Sequence, residues 1–308
     1  MTSRSGSAGC GTVVAYDAAR HEVLLHALWQ RSFDEKWAVR KSILHMLFAP
    51  KGSGVVAVEG DRLVGFAGTA ARERALAVIL VEPESRRRGI ATALLRAALD
   101  TMSGVGRIAI GGLAFLWKGI PTDLAPAMCF FRARGCVFTT TIVDQYRELR
   151  DFQFPEAVES DAQRQGLRLH RGTKADAQRI LAFENEHFPH WATYFESCIE
   201  EGRYTDIACV SSPTRIVGAT LLGRPGTTFP GSQWDTLVDG RLGSYATLGI
   251  DPAYRGRGLG YALSAFATRS IHDDGAAACF INHSEAVSLY HKLGFREWAE
   301  YRAAELAV

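Results

Sequence analysis

The sequence predicts an α+β protein made of two tandem copies of one fold, each a mixed, mostly antiparallel sheet flanked by helices. The first observation is length, because 308 residues suffice for two domains of ordinary size. The second is composition, since 47% hydrophobic and 22% charged residues allow each half to bury its own core. The third is a repeat: residues 79–91 and 248–260 both read as an apolar strand, a turn rich in Arg and Gly, and the start of a helix.

The repeat keeps fixed offsets along the chain. The pairs at an offset of 169 residues (258 − 89) are Pro83 and Pro252, Arg86 and Arg255, Gly89 and Gly258, and Ala91 and Gly260. A second match joins residues 130–136 to residues 289–295 at an offset of 159 residues (294 − 135). The first copy therefore holds ten extra residues between its two motifs, and we expect them to include the loop-forming segment 117–121.

The boundary between the copies is expected in a mostly polar region without a sustained period. We predict an N-terminal domain at residues 1–151, a linker at 152–165 and a C-terminal domain at 166–308. In each domain a buried strand should precede the turn, at 76–81 and at 244–250, and a helix should follow it.

Charge and cysteine usage exclude several classes of function. A formal net charge of only +2 argues against nucleic acid or an anionic membrane as a partner. The six cysteines are scattered without a C-x-x-C pair, which predicts no metal site, no disulfide framework and a cytoplasmic location. We expect a monomer or a homodimer.

The turn has the chemistry of a diphosphate site. A helix that begins after a strand and a glycine-rich turn presents unpaired backbone N–H groups and the positive end of its dipole. Gly256, Gly258 and Gly260 allow phosphate oxygens to approach the main chain, and Arg255 and Arg257 add positive charge. A dinucleotide fold is not indicated, because the surrounding elements are not a series of βαβ units.

The pattern R-x-x-G-x-G/A, followed by N-x-x-A-x-x-L-Y-x-x-L-G-F, resembles the GNAT superfamily of N-acetyltransferases. The second copy carries both motifs in full, at Arg255, Gly258, Gly260, Asn282, Ala286, Leu289, Tyr290, Leu293, Gly294 and Phe295. The first copy carries Arg86, Gly89 and Ala91 and a degraded second motif. The resemblance covers nearly the whole chain as two units, as in tandem members of the family.

The resemblance implies that acetyl-CoA is the co-substrate and that its pantetheine arm pairs with the strand before the turn. The implied contacts in the second copy are Leu248, Gly249, Ile250, Arg255, Gly256, Arg257, Gly258, Leu259, Gly260 and Asn282. Those in the first copy are Ile79, Val81, Arg86, Arg87, Arg88, Gly89, Ile90 and Ala91. In the family a Tyr hydroxyl protonates the leaving thiolate, and Tyr290 occupies that position.

The two copies differ at the position of this acid. Phe131 stands in the first copy where Tyr290 stands in the second, so we expect the chemistry in the second copy. We expect the first copy to bind acetyl-CoA poorly or without turnover, or to be structural. A general base is not evident, because strand 244–250 carries no carboxylate. Candidate bases and acceptor contacts are Glu184, Glu186, His187, Trp191, Asp235 and Asp239, and water is an alternative proton relay.

The expected reaction is acetyl transfer to a primary amine of a small molecule, an amino sugar or an antibiotic-type metabolite being favoured. Segment 117–121, with the helix after it, is similar to tandem family members of that kind. Two alternatives remain open. One is acetylation of a protein or peptide, and the other is a regulatory protein that binds acyl-CoA without catalysis.

Overall fold

Strands and helices follow nearly the same order in the two halves of the computed structural model, which describes residues 11–50, 53–102, 104, 106–113, 115–284 and 286–308. The first half contains β1 (Thr12–Ala15), α1 (Ala18–Ser32), α2 (Lys41–Phe48), β2 (Gly54–Glu59), β3 (Arg62–Ala70), β4 (Ala75–Val81), α3 (Ile90–Asp100), β5 (Arg107–Ile110), β6 (Ile120–Pro121), α4 (Ala125–Arg132) and β7 (Val137–Glu148). The second contains α5 (Ala157–Arg164), β8 (Arg168–Arg171), α6 (Ala177–His187), α7 (Ala192–Glu200), β9 (Ile207–Ser211), β10 (Ile216–Gly223), β11 (Leu242–Ile250), α8 (Leu259–Asp273), β12 (Ala278–Ser284), α9 (Val287–His291) and β13 (Arg296–Ala307). Short 3₁₀ helices lie at Glu35–Trp37, Pro83–Ser85, Lys174–Asp176, Tyr204–Asp206, Ser232–Val238 and Pro252–Tyr254.

The compact units divide elsewhere than at the predicted boundaries. Unit 1 runs to Ile142 and includes Glu300–Val308, whereas unit 2 is Val143–Ala299. The end of β7 belongs to unit 2, where it pairs with β12, and the end of β13 belongs to unit 1, where it pairs with β5. Each unit therefore contains the end of one strand from the sequence half assigned to the other. Strand pairing is non-local, so neither strand's own pattern reveals its partner.

Both sheets have the same plan. β1 to β4 in unit 1 and β8 to β11 in unit 2 are successive antiparallel neighbours. A parallel pair follows, β4 with β5 and β11 with β12. The parallel pairing covers only Ala75–Leu76 of β4 and Leu242–Ser244 of β11. Beyond it, within the described chain, residues 77–81 and 245–250 have no strand on that edge, so each sheet offers free main-chain groups beside the turn.

Helices pack on both faces of the sheet in unit 2. Val210 on β9 packs into the core around α8. The residue before it, Cys209, points to the opposite face and packs into the core around α6 and α7. This alternation is the period of two expected for a strand covered on both sides. The structure therefore contains the α+β architecture that the sequence predicts.

Residues 152–165 were predicted as a linker, and part of that segment is the helix α5. Val158 and Ala162, one turn apart, are 4% and 2% exposed and pack into the core of unit 2 together with Leu167. Two apolar residues at this spacing are too few to reveal a helical period, but they suffice to anchor one face of a short helix. Among the described residues no helix is long and apolar enough to cross a lipid bilayer.

Candidate functional site

The two turns share one backbone conformation. In unit 1, Arg87 and Gly89 have φ of 65° and 82°, and the matching Gly256 and Gly258 in unit 2 have φ of 75° and 78°. Gly89 and Gly258 are the N-cap residues of α3 and α8. Because positive φ is costly for a residue with a Cβ, its retention at Arg87 shows that the loop shape itself is shared between the copies.

The first arginine of each turn ties the turn to the strand before it. Arg86 Nε donates to Val81 O at 3.0 Å, and Arg255 Nε donates to Ile250 O at 3.2 Å. Arg255 was predicted to supply positive charge to a phosphate, and Arg86 was predicted to contact the same kind of ligand. The structure adds a positioning role, since the same side chain fixes where the strand ends and where the turn begins.

The other arginines of the turns differ in what they contact. Arg257 donates to Ala253 O at 3.3 Å and lies over the Tyr254 ring at 4.8 Å. Arg88 forms an ion pair with Glu59, with Nη2 and Oε1 2.6 Å apart. Arg87 is exposed and makes no ion pair among the described residues. The charge of Arg87 is therefore available to a ligand.

The backbone at both turns is open. A Cβ added at Gly89, Gly256, Gly258 or Gly260 would meet no atom within 4 Å. The first main-chain bonds of α3 and α8 run from Ala93 N to Gly89 O and from Ala262 N to Gly258 O, each 3.0 Å. The preceding amides in each helix have no intrahelical acceptor, so they suit a diphosphate, which the positive end of the helix dipole also favours.

Each open strand edge carries a bulge. The register of β4 against β3 shifts between Gly68 and Thr69, and that of β11 against β10 shifts between Ala219 and Leu221. In β11 the bulge contains Thr247, whose φ is 57°. A bulge turns a backbone N–H out of the regular ladder, which is the arrangement needed to aim an amide at a ligand carbonyl.

A cavity of about 1020 Å³ lies in unit 1 and brings the predicted first-copy residues together. The predicted residues that line it are Ile79, Val81, Arg86, Arg87, Gly89, Ile90 and Ala91. Arg88 is not among its lining residues. Trp37, Trp117 and Arg134 are among the further wall residues, which sequence reasoning did not assign to a binding site. Arg134 donates to Thr92 Oγ1 at 2.6 Å and to Phe130 O at 2.8 Å, which places a third cation beside the turn.

Tyr290 in unit 2 packs between two aromatic rings. Its ring centroid is 6.1 Å from that of Tyr245 and 5.9 Å from that of Phe295, and 8% of the residue is exposed. Burial raises the pKa of Tyr290 to about 12, so the hydroxyl keeps its proton at neutral pH. Phe131, at the matching position, lines the unit 1 cavity and has no proton to donate.

The other predicted acetyl-CoA contacts of unit 2 differ in accessibility. Ile250 and Leu259 are core residues, 8% and 2% exposed, so only their main chain can reach a ligand. Leu248 is partly buried against the same core, and Asn282 is half-buried on β12. Gly249 lies against the Phe188 ring, which a Cβ at this position would strike.

The candidate acceptor contacts lie on and just after α6. Glu184 is fully buried, and its two carboxyl oxygens have no hydrogen-bond partner among the described residues. Burial raises the pKa of Glu184 to about 8. His187 Nε2 lies 3.7 Å from the Asp251 carboxylate, and Trp191 stacks on Phe188 with centroids 5.1 Å apart.

The remaining carboxylates are less enclosed than Glu184. Glu186 is 65% exposed at its side chain, and Asp239 is exposed. Asp235 lies partly buried in the 3₁₀ helix Ser232–Val238. The described residues contain no group of three His, Cys, Asp or Glu side chains placed to hold a metal ion.

Each unit separately matches a family of known proteins. The profile of the acetyltransferase (GNAT) family matches residues 21–113, and that of the acetyltransferase (GNAT) domain matches residues 214–297. The chain is 31% identical over 243 residues to a mycothiol acetyltransferase of Mycobacterium marinum, covering 72% of this chain and 71% of that one. This chain belongs to the GNAT family. It is a tandem GNAT and an acetyl-CoA-dependent N-acetyltransferase.

Further relatives of this GNAT agree in layout. A mycothiol acetyltransferase of Rhodococcus erythropolis is 27% identical over 85% of this chain and 88% of its own length. A tandem GNAT protein of the clavulanic acid biosynthesis pathway superposes with a TM-score of 0.64 at 17% identity, over 96% of this chain and 98% of that one. The glucosamine N-acetyltransferase region of a fungal β-N-acetylglucosaminidase superposes with a TM-score of 0.84 at 22% identity, over 96% of this chain but only 38% of that longer one. At these identities the two structures show the fold alone.

Proposed function

We propose that this GNAT transfers the acetyl group of acetyl-CoA to a primary amine of a small molecule, with an amino sugar as the favoured acceptor and with the chemistry in unit 2. The observation that carries the proposal is the difference between Tyr290 and Phe131 at matching positions of the two copies. A buried hydroxyl that holds its proton at neutral pH suits a general acid, and a phenyl ring cannot take that role. The names of the relatives and of the fungal neighbour support an amine acceptor.

Different parts of unit 2 bind different parts of acetyl-CoA. Acetyl-CoA, when bound, supplies the acetyl thioester. The turn amides at the start of α8 hold its diphosphate, and the free edge of β11 at residues 247–250 pairs with its pantetheine arm. An N–H in the bulge around Thr247 polarises the thioester carbonyl.

Tyr290 then assists the departure of the thiolate. The neutral amine attacks the carbonyl carbon, a C–N bond forms, and the C–S bond breaks. The Tyr290 hydroxyl gives its proton to the leaving sulfur, and the proton lost by the amine returns through water to the Tyr290 phenolate. Glu184, His187 and Trp191 are proposed to border the acceptor, because they lie together on and after α6.

Unit 1 is proposed to bind acyl-CoA without turnover. Its cavity joins the open edge of β4 to the Arg- and Gly-rich turn, and Arg87 and Arg134 add positive charge at that end. Phe131 leaves this copy without the family's acid. Calorimetry should therefore give two acetyl-CoA molecules per chain, and a value of one would limit binding to a single unit.

The test of the proposed chemistry is thiol release from acetyl-CoA with a panel of amines that includes D-glucosamine. Tyr290→Phe should slow turnover by about 10²-fold or more while acetyl-CoA affinity stays within about twofold. Tyr194→Phe is the matched control, since Tyr194 is 60% exposed on α7. Unchanged turnover in Tyr290→Phe would remove this residue from its assigned role.

A further inference from the structure

A second cavity, of about 340 Å³, lies in unit 2 beside the first turn of α8. Arg147 of β7, Tyr261 of α8 and Lys292 after α9 contribute to its wall, and all three belong to unit 2. Two cations on one wall suit an anionic ligand. No step of the proposed reaction uses this cavity, so its basic wall needs another explanation.

The sequence repeat relates this cavity to the phosphate end of the unit 1 cavity. Three of its wall residues match wall residues of unit 1, Tyr261 and Thr92 at the offset of 169 residues (261 − 92), and Lys292 and Ala133, and Leu293 and Arg134, at the offset of 159 residues (292 − 133). The unit 1 cavity extends from these residues to the Arg- and Gly-rich turn. In unit 2, Tyr261 follows Gly258 by three residues, which is about 4.5 Å along the helix axis. The cavity is therefore within reach of a group attached next to the diphosphate.

The Arg147 guanidinium is packed against the cavity wall without an acceptor. A Cβ added at Gly294 would lie 3.1 Å from Cζ of Arg147, so the glycine lets the guanidinium approach the main chain. The same group lies 4.9 Å from the centre of the Phe152 ring. Arg147 is partly buried, and its side chain forms no hydrogen bond or ion pair with any described residue. Because a guanidinium carries five N–H donors that need acceptors, its placement indicates an anionic ligand.

The other charged groups of the cavity leave its wall positive. Lys292 is exposed and forms no ion pair among the residues that the structure describes. The exposed Asp151 carboxylate also lines the cavity, but neither Arg147 nor Lys292 forms an ion pair with it. Two cations against one carboxylate favour a ligand with more than one negative charge, and a guanidinium matches the oxygens of a phosphate.

Coenzyme A carries a phosphate at the position that this cavity requires. Its ribose bears the diphosphate at the 5′ position and a phosphate at the 3′ position, so one sugar ring separates the two groups. With the diphosphate on the turn amides at the start of α8, the 3′-phosphate reaches the neighbouring cavity. We propose that Arg147 and Lys292 bind the 3′-phosphate of coenzyme A and make unit 2 select acyl-CoA over its 3′-dephospho form. This inference rests on the proposed binding of acetyl-CoA to unit 2.

Calorimetry of the full-length protein with coenzyme A and with 3′-dephospho-coenzyme A tests this assignment without turnover. Unit 2 should bind coenzyme A at least about tenfold more tightly than the dephospho form. Arg147→Gln should weaken coenzyme A binding about tenfold and leave 3′-dephospho-coenzyme A binding unchanged, whereas a merely structural role would weaken both alike. Lys292→Gln should lower the preference several-fold, and because Lys292 is exposed this variant provides the test if Arg147→Gln does not fold.

Two further variants are controls for this titration. Arg147→Lys keeps the positive charge and should keep part of the preference. Arg150→Gln removes an exposed arginine of unit 2 that does not line the cavity, and it should bind both ligands as the parent does. Unit 1 binds through its own turn, so only one of the two binding events should respond to the unit 2 substitutions. Equal affinity for both ligands, or a preference that survives both Arg147→Gln and Lys292→Gln, would overturn the proposal.

The 3′-phosphate site and the proposed reaction fail in distinguishable ways. If amines elicit thiol release but the preference for coenzyme A does not depend on Arg147 or Lys292, the 3′-phosphate site is wrong and the reaction stands. If no amine elicits thiol release but the preference follows Arg147 and Lys292, the site stands and the reaction is wrong. If neither ligand binds, both proposals are wrong.

Discussion

Glu184 makes the stability of this GNAT depend on pH in a calculable way. The carboxyl is fully buried without a hydrogen-bond partner among the described residues, and burial raises its pKa from 4.5 to about 8. A raised carboxyl pKa means that the folded state binds the proton more tightly than the unfolded state. The contribution is therefore unfavourable to folding at high pH. This destabilisation is absent below pH 4.5, the pKa of the carboxyl in the unfolded chain. It grows as the pH rises and is complete above about pH 8, the pKa in the folded protein.

The size of this destabilisation follows from the difference between the two pKa values of Glu184. Each pKa unit corresponds to about 1.4 kcal/mol, so between pH 5 and pH 8 the free energy of unfolding should fall by about 4 kcal/mol because of Glu184 alone. Glu184→Gln keeps the shape and removes the ionisation. The free energy of unfolding of the variant, relative to that of the parent, should therefore rise by about 4 kcal/mol between pH 5 and pH 8.

Chemical denaturation at several pH values between 5 and 8 measures the effect, with the difference between the two proteins taken at each pH. Other titrating groups are common to both and cancel in that difference. Glu186→Gln is the control, because the Glu186 side chain is 65% exposed and its variant should follow the parent curve. Parallel curves for Glu184→Gln and the parent would refute the claim that a buried, unpaired carboxyl is retained here.

Three further outcomes are expected. Gly258→Ala should lower the free energy of unfolding by about 1 kcal/mol and weaken acetyl-CoA binding in calorimetry, because φ is 78° at this position; equal affinity would contradict the role given to the turn. Arg255→Ala should cost about 1 kcal/mol in denaturation through loss of its bond to Ile250 O, and no change would show that the turn holds its place unaided. Leu263→Ala in α8 should cost about 2–5 kcal/mol, since Leu263 is fully buried, and Leu94→Ala in α3 should cost about the same; a much smaller loss would mean a loosely packed core.

The repeated turn could be predicted because its geometry depends on short-range chemistry. Glycine at 89 and 258 permits the positive φ of an N-cap that precedes each helix, and the fixed offset of the motifs locates both turns. Arg87 shows where this reasoning ends. Its φ of 65° is not encoded by the residue type, and only the match with Gly256 reveals it.

The exchanged strands and the aromatic wall residues of the unit 1 cavity could not be predicted in the same way. Strand pairing depends on contacts that are distant in sequence, so the residue patterns of β7 and β13 do not name β12 or β5 as partner. Trp37 and Trp117 are far apart in sequence, yet their rings lie 5.6 Å apart beside the cavity. The one local signal was the extra segment 117–121 of the first copy, which marked an insertion but not what it would line.

A crystal structure with acetyl-CoA at saturating concentration tests the assignment of the unit 2 site most directly. It should place the diphosphate within hydrogen-bonding distance of the main-chain amides at residues 256–260 and the thioester sulfur beside the Tyr290 hydroxyl. A structure in which this turn stays empty, or in which the sulfur lies beyond reach of Tyr290, would contradict it.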